Sequence, residues 1–393
     1  MRYILLSFIL FSCSFVSQKK NVTWTVNQKI TFHDEYLDVE SVITKPANEK
    51  YQFCSDVLAS KFSSNVHNGE EILDIKHRIK IGDENGPIMY QRVPSGRILY
   101  TQLQPLNFCK LFPVPSDRLS SMNFNLRIEI PSKWNLIAFD RPQIISKHQN
   151  TTLWEIKSVA AIPFMSFAFV AGDLVEYRLP YETEKFSLFS SFKYNKKSYS
   201  EIMSEFLEIQ KLVLKYFSFN TDRFYDLVSI PSFGPGAMEN YNMITVTEDL
   251  FSDENKPLNW KSIRRFVLLH ESVHQIIGNC LRPSHKSDVF FVEGLTQYFS
   301  SLIARNNKSF INPFSGSLRN DLSIEVNDNN LELFFTKFSY ELGSFLFQEI
   351  SNKRGSEYLR EKIVSFIDRK GCSEFDFRSL DQSLRGSVFN TKR

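Results

Sequence analysis

Apolar and polar residues alternate along the first part of the chain. Val22-Thr23-Trp24-Thr25-Val26 and Phe124-Asn125-Leu126-Arg127-Ile128-Glu129-Ile130 each put apolar side chains on one face and polar ones on the other, which is the period of a half-buried strand. Turn-forming runs such as Asp83-Glu84-Asn85-Gly86-Pro87 and Pro113-Val114-Pro115-Ser116-Asp117 separate these segments. Residues 19–182 are therefore expected to form an all-β domain. Past Leu179-Pro180-Tyr181 the period lengthens: Ile202, Phe206, Ile209, Leu212, Val213 and Tyr216 recur at steps of three and four, which is helical spacing. The pattern predicts a boundary near 183 and a mainly helical unit over 183–393. The fold class is α+β and multidomain, consistent with 393 residues at about 150 per domain.

One apolar run fits neither pattern. Ile4 to Val16 follows Arg2 and precedes Lys19 and Lys20, too short for the roughly 20 residues of a membrane span and right for the core of a secretory signal. Residues 1–18 are read as that signal. Leu10-Phe11-Ser12-Cys13 is similar to a bacterial lipobox, so lipid anchoring at the cell surface stands beside free secretion. Removal of the signal would leave Cys54, Cys109, Cys280 and Cys372, an even number in a disulfide-permissive compartment. Cys54 with Cys109 is the expected pair, since both precede the boundary. With 47 basic against 44 acidic residues the net charge is +3, too small for a nucleic-acid footprint. No nucleic-acid partner is expected.

The chemistry concentrates in His270-Glu271-Ser272-Val273-His274, an HExxH motif. Ile263, Phe266, Val267, Val273 and Ile277 form a helical apolar stripe, with Asn259 as a cap and Gly278-Asn279 as a stop. On a helix, positions i and i+4 share a face, so both imidazoles can reach one metal ion. A catalytic zinc takes three protein ligands and keeps one position open. Glu293, in Phe291-Val292-Glu293-Gly294-Leu295, is the third ligand expected. It stands beyond an 18-residue gap, at the start of a second helical stripe. Glu271 then lies beside the open position as general base for water, and one Zn2+ per chain is the cofactor expected.

His270 to His274, the gap and Glu293 resemble the gluzincin metallopeptidases. Gly236-Ala237-Met238-Glu239-Asn240 is similar to the GAMEN signature of the aminopeptidase N and leukotriene hydrolase family. Further likeness lies in Asp226 to Pro231, in Gln275 to Asn279, in Thr101-Gln102-Leu103-Gln104-Pro105 and in Pro163-Phe164-Met165-Ser166-Phe167. The resemblance implies a saddle-like β-rich first domain, a thermolysin-like catalytic domain and removal of N-terminal residues from peptides with a free N-terminus. It assigns substrate contacts to Gly236, Ala237, Met238, Glu239, Asn240 and Gln104. Physical reasoning agrees for Glu239, since a carboxylate in a partly dry pocket holds a substrate ammonium at fixed distance. Gly236 and Ala237, being small, let the backbone approach the substrate. Tyr340-Glu341-Leu342-Gly343 matches the family's Tyr-x-x-Gly pattern, so Tyr340 takes the role of oxyanion donor.

The chain departs from the family in places. Ile276 and Ile277 stand where aromatic residues are usual, Val292 where an Asn is usual, and Asn242 where a Gly is usual. The sequence ends 53 residues after Tyr340, where most relatives continue into a helical domain, and a more open cleft is the expectation. Three other readings share the zinc motif: a thermolysin-type endopeptidase, a lipid epoxide hydrolase, and an inactive binding protein on the same fold.

Overall fold

The computed structural model describes residues 23–53, 59–83, 86–94, 96–103, 107–116, 121–179, 186–219, 225–252, 256–283, 288–307, 309–312 and 339–385. The expected signal, Cys54 and Gln104 lie outside these residues. A β-rich N-terminal region comes first and most of the helix follows.

The alternating segments become a large sheet in the order Gln143–Lys147, Thr151–Lys157, Ser121–Pro131, Trp24–Phe32, Tyr36–Pro46, Glu70–Lys80, Ala59–His67. Neighbours run antiparallel except Trp24–Phe32 and Ser121–Pro131, which run parallel with Trp24 opposite Met122. The apolar face predicted from the period is the buried one: Met122, Phe124, Leu126, Ile128 and Ile130 all point inward. Phe124 packs there against Phe112, Phe139 and Phe167 at ring separations of 4.7 to 5.7 Å, in the tilted and edge geometries that aromatic quadrupoles favour.

Polar side chains also break the inward apolar face, Gln28, Lys45 and His77 among them. Gln28 donates from Nε2 to Ser41 Oγ and the Leu111 carbonyl. Lys45 is 1% exposed and pairs with Glu71 at 2.6 Å while donating to the Glu49 carbonyl. His77 is buried at 3% exposure against Phe53. Burial holds its imidazole down at about 4 despite a bond to the Lys110 backbone. Because the folded chain refuses a proton that the unfolded chain accepts near 6.5, stability is present above that pH and is lost as pH falls from about 6.5 toward 4, by roughly 3 kcal/mol. Urea midpoints of the wild type and His77→Leu between pH 4 and 7 check this: the wild type should lose stability relative to the variant as pH falls through that window.

A four-stranded antiparallel sheet, Asn135–Ala138, Phe169–Gly172, Gly96–Thr101 and Ile88–Val93, lies beside the first. A five-stranded sheet follows, ordered Val175–Tyr177, Leu188–Ser190, Asp226–Ile230, Met243–Thr247, Ala237–Asn240. Its last strand is antiparallel to its neighbour and forms an edge.

Five helices of eleven residues or more stand among the described residues: α1 (Lys196–Tyr216), α2 (Trp260–His274), α3 (Val289–Arg305), α4 (Ser344–Arg354) and α5 (Tyr358–Lys370). Among the described residues no helix is long and apolar enough to cross a membrane. The first helix starts as its sequence suggests, with Asn195 Oδ1 accepting from the Ser198 amide. The second does not: Asn259 occupies the cap position of α2 without a side-chain bond, and the helix ends at His274, before Gly278. Tertiary packing replaces the missing cap, through a bidentate Arg264–Glu205 pair to α1 at 2.8 and 3.0 Å and a bond from Gln210 to Ser272. The third helix has buried residues on every side, the mark of a helix at the centre of a core.

Cys280, just past α2, is disulfide-bonded to Cys372. The bridge reinforces a parallel pairing of Leu281–Pro283 with Ser373–Phe375. Cys109 is disulfide-bonded as well, and its expected partner Cys54 falls outside the described residues.

Candidate metal centre and active site

The last turns of α2 carry His270, Glu271 and His274, and the second turn of α3 carries Glu293. These two helices bring His270, His274 and Glu293 together with all donor atoms within 4.8 Å of one another. The Glu293 carboxylate Oε2 lies 3.3 Å from His274 Nε2 and 3.7 Å from His270 Nε2. All three side chains are buried, at 1 to 5% exposure.

Whether a metal suits this trio can be judged from the donors. The two Nε2 atoms face each other at 3.0 Å, the spacing of two imidazole nitrogens that share a metal cation or a proton. The tautomer is also set: His274 Nδ1 lies 3.2 Å from the Ile277 carbonyl and 3.2 Å from Thr296 Oγ1, so the ring donates there and presents Nε2 as a lone pair. Metal-bound histidines are oriented in this way. Two imidazoles and one carboxylate form a catalytic zinc set, and the residues present fit that ion.

The electrostatics point the same way. Burial works to raise the Glu293 carboxyl, but His274 and His270 override it and hold it below the usual carboxylate range. Burial presses the His274 imidazole down, and Glu293, Glu239 and Glu271 together push it well above its ordinary value. Glu271 itself is raised by burial and then by the charge of Glu239. Three carboxylates thus converge on two imidazoles, an excess of negative charge in a dry site that cations must balance. A divalent ion and a substrate ammonium would do so.

Glu239 enters from the edge strand Ala237–Asn240. Its neighbour Asn240 pins that strand to the metal helix: the Asn240 carbonyl accepts from Gln275 Nε2 at 3.2 Å and from Asn279 Nδ2 at 3.4 Å, and Asn240 Nδ2 donates to Thr245 Oγ1. Gln275 and Asn279 therefore tie the strand that carries Glu239 to the segment that follows the metal helix, a role that motif reading alone did not assign. Gly236 sits at φ 84°, so glycine serves its backbone angle, whereas no described atom lies within 4 Å of where a Cβ would stand. That left-handed conformation favours glycine. Asn242 adopts φ 59° and donates from Nδ2 to the Phe139 carbonyl. Asparagine tolerates that region best after glycine, which accounts for its standing where the family usually has Gly.

Tyr340 reaches the site from a π-helical turn, Ser339–Gly343, packed against α3. Its ring centroid is 5.5 Å from that of His270. The charge of Glu293, then burial, raises its phenol well above the ordinary value, so it remains a neutral donor. Two clefts lie along the strand that carries Glu239. One of about 510 Å3 is bordered by Glu239, Glu293, Phe164, Met165, Arg282 and Val292. The other, about 300 Å3, is bordered by Gln102, Leu103, Met165, Phe167, Phe233 and Met238, and so includes the Thr101–Leu103 segment that flanks Gln104.

Two buried histidines and one carboxylate, with a second carboxylate beside them, make a donor set of the kind that holds a catalytic zinc. Comparison with known proteins narrows the class. Residues 200–390 match the Peptidase family M1 domain. Tricorn protease-interacting factor F2 of Thermoplasma acidophilum is 22% identical over 384 residues, covering 89% of this chain and 47% of that protein. Aminopeptidase M1 of Arabidopsis thaliana is 23% identical over 314 residues (72% and 34%), and endoplasmic reticulum aminopeptidase 2 of Homo sapiens is 24% identical over 325 residues (74% and 32%). The chain is thus similar, over residues 200–390 and at 22 to 24% identity, to proteins of the Peptidase M1 group. It spans about a third to just under a half of the length of these relatives.

Proposed function

We propose that this chain is a zinc-dependent aminopeptidase that removes N-terminal residues from peptides. The observation that carries the reading is the convergence of Glu239 on the metal centre, where its charge acts on both Glu271 and His274. A hydrolase that ignores the substrate amine has no use for a third carboxylate in a dry cleft.

His270, His274 and Glu293 would hold the ion. Bound there, zinc supplies a Lewis acid that polarises the scissile carbonyl and makes water more acidic. Glu239 accepts hydrogen bonds from the substrate ammonium and sets the distance from amine to first carbonyl. Glu271 takes the proton of the attacking water and delivers it to the departing amine. The Tyr340 hydroxyl donates to the oxyanion as the carbonyl becomes tetrahedral. Met238, with the cavity around Phe167 and Phe233, receives the first side chain of the substrate.

The finer architecture belongs to the same proposal: a saddle-like first domain to about residue 182 and a thermolysin-like catalytic unit after it. Export from the cytoplasm is also proposed. The Cys280–Cys372 bridge supports it, because such bonds persist in oxidising compartments.

A panel of fluorogenic aminoacyl amides and their N-acetylated forms, with and without a zinc chelator, tests the function. Chelator-sensitive cleavage of the free-amine forms alone is expected, and Glu239→Gln should lower kcat/KM on them between about 10- and 150-fold, the span of one charge-assisted hydrogen bond. Equal cleavage of the acetylated forms would instead indicate an endopeptidase.

A further inference from the structure

The helix that carries the metal ligand Glu293 and the turn that carries Tyr340 touch through two glycines. A Cβ added to Gly294 would stand 2.5 Å from Gly343 Cα and 2.6 Å from its carbonyl carbon. The reverse holds as well: a Cβ on Gly343 would stand 2.6 Å from Gly294 Cα and 3.3 Å from the Phe290 carbonyl oxygen. Gly343 has φ −60° and ψ −47°, an ordinary helical conformation that alanine adopts freely. Backbone angle therefore does not require glycine at Gly343, and space does. Gly294 follows Glu293 directly, and Gly343 closes the turn that begins at Ser339.

Resting on the proposed function, we propose that the Gly294–Gly343 contact sets the distance between the metal ligand and the oxyanion donor, making both glycines positioning residues for catalysis. Carbon atoms settle at about 3.5–4.0 Å, so one methyl group at either glycine must push helix and turn about 1 Å apart. The two sides of the contact carry different groups. Displacing the turn moves Tyr340, whose ring meets His270 at 5.5 Å. Displacing α3 moves Glu293 itself. Ser344 Oγ donates to the Glu341 carbonyl at 3.1 Å and clamps the same turn from its far end.

A double-mutant cycle with Tyr340→Phe, run beside zinc affinity, tests this. Tyr340→Phe should lower kcat on the order of 100-fold, as loss of one oxyanion donor does. Gly343→Ala should lower kcat about 10- to 100-fold, the effect of a 1 Å misplacement, with KM and the Zn2+ dissociation constant, read by chelator competition, within about threefold of wild type. In the Tyr340→Phe background the same alanine should cost almost nothing further, because the group it displaces is gone. Gly294→Ala should weaken Zn2+ binding about tenfold, a readout independent of turnover. Circular dichroism confirms folding. If Gly343→Ala does not fold, Ser344→Ala replaces it, with an expected three- to tenfold loss of kcat that is again absorbed by Tyr340→Phe. Multiplicative losses in the double variant would overturn the inference, as would wild-type kcat in the alanine variant. Undiminished kcat in Tyr340→Phe would remove the catalytic role of Tyr340 and the inference with it, whereas a normal Tyr340→Phe defect beside a silent Gly343→Ala would overturn the inference alone.

Discussion

Replacing Glu271 with glutamine is expected to lower kcat by about 1,000-fold while zinc stoichiometry and KM stay near wild type. The side chain is 7% exposed, and its Oε2 has no hydrogen-bond partner among the described residues. Burial and the charge of Glu239 raise its proton affinity, which is how a carboxylate becomes an effective base near neutral pH. General-base catalysis is worth about 100- to 10,000-fold, and an amide of the same shape removes it without emptying the space. The three metal ligands are untouched, so a loss confined to kcat marks an interaction made in the transition state. Single-turnover cleavage of an aminoacyl amide, with zinc measured on the same sample, decides the matter. Activity within threefold of wild type would mean that another group moves the proton.

The second large effect concerns stability. Cys280 and Cys372 close a loop with a sequence separation of 92, for which chain entropy gives about 4.6 kcal/mol at 25 °C. Cys280 is fully buried, and its neighbours Asn279 and Leu281 respectively bond the Asn240 carbonyl and pair with Ser373. The bridge therefore fastens the segment that ends the metal helix. The variant with both cysteines changed to alanine is expected to lose about 2–5 kcal/mol, a fall in melting temperature on the order of 10 °C. Adding reductant to the wild type should reproduce the shift, and adding it to the variant should change nothing. Melting curves in both redox states measure this directly.

Much of the fold could be read from residue order. Period-two alternation found the strands around Trp24 and Ile128 because one face of a sheet is buried and the other is wet, and period-four repeats found α1 for the matching reason. The metal trio was legible because HExxH has only one geometry on a helix. Other features were hidden for physical reasons. The end of α2 was misplaced since tertiary bonds from Gln210 and Arg264, rather than capping signals, hold that helix. Gln275 and Asn279 lie in a segment that shares the family likeness, yet their role was hidden, because their partner is the Asn240 carbonyl and a backbone acceptor leaves no mark in sequence. Gly294 and Gly343 look like two routine glycines until their contact is seen. Thr296 escaped notice in the same way, gaining its place from His274 on another helix.

The parallel pairing of Trp24–Phe32 with Ser121–Pro131 bears on how the molecule acquires its shape. One edge of the early strand is satisfied by the Tyr36–Pro46 hairpin, a local event that takes microseconds. The other edge waits for Met122 and its neighbours, so loop closure must precede any gain from the contact, and folding of this sheet should be slow for its size. During synthesis the hairpin carries an open, apolar-faced edge for as long as the intervening residues take to emerge, and an exposed edge pairs with other chains readily. Crowding of nascent chains, rather than weakness of the finished core, is then the condition under which this sheet is most open to pairing with the wrong partner.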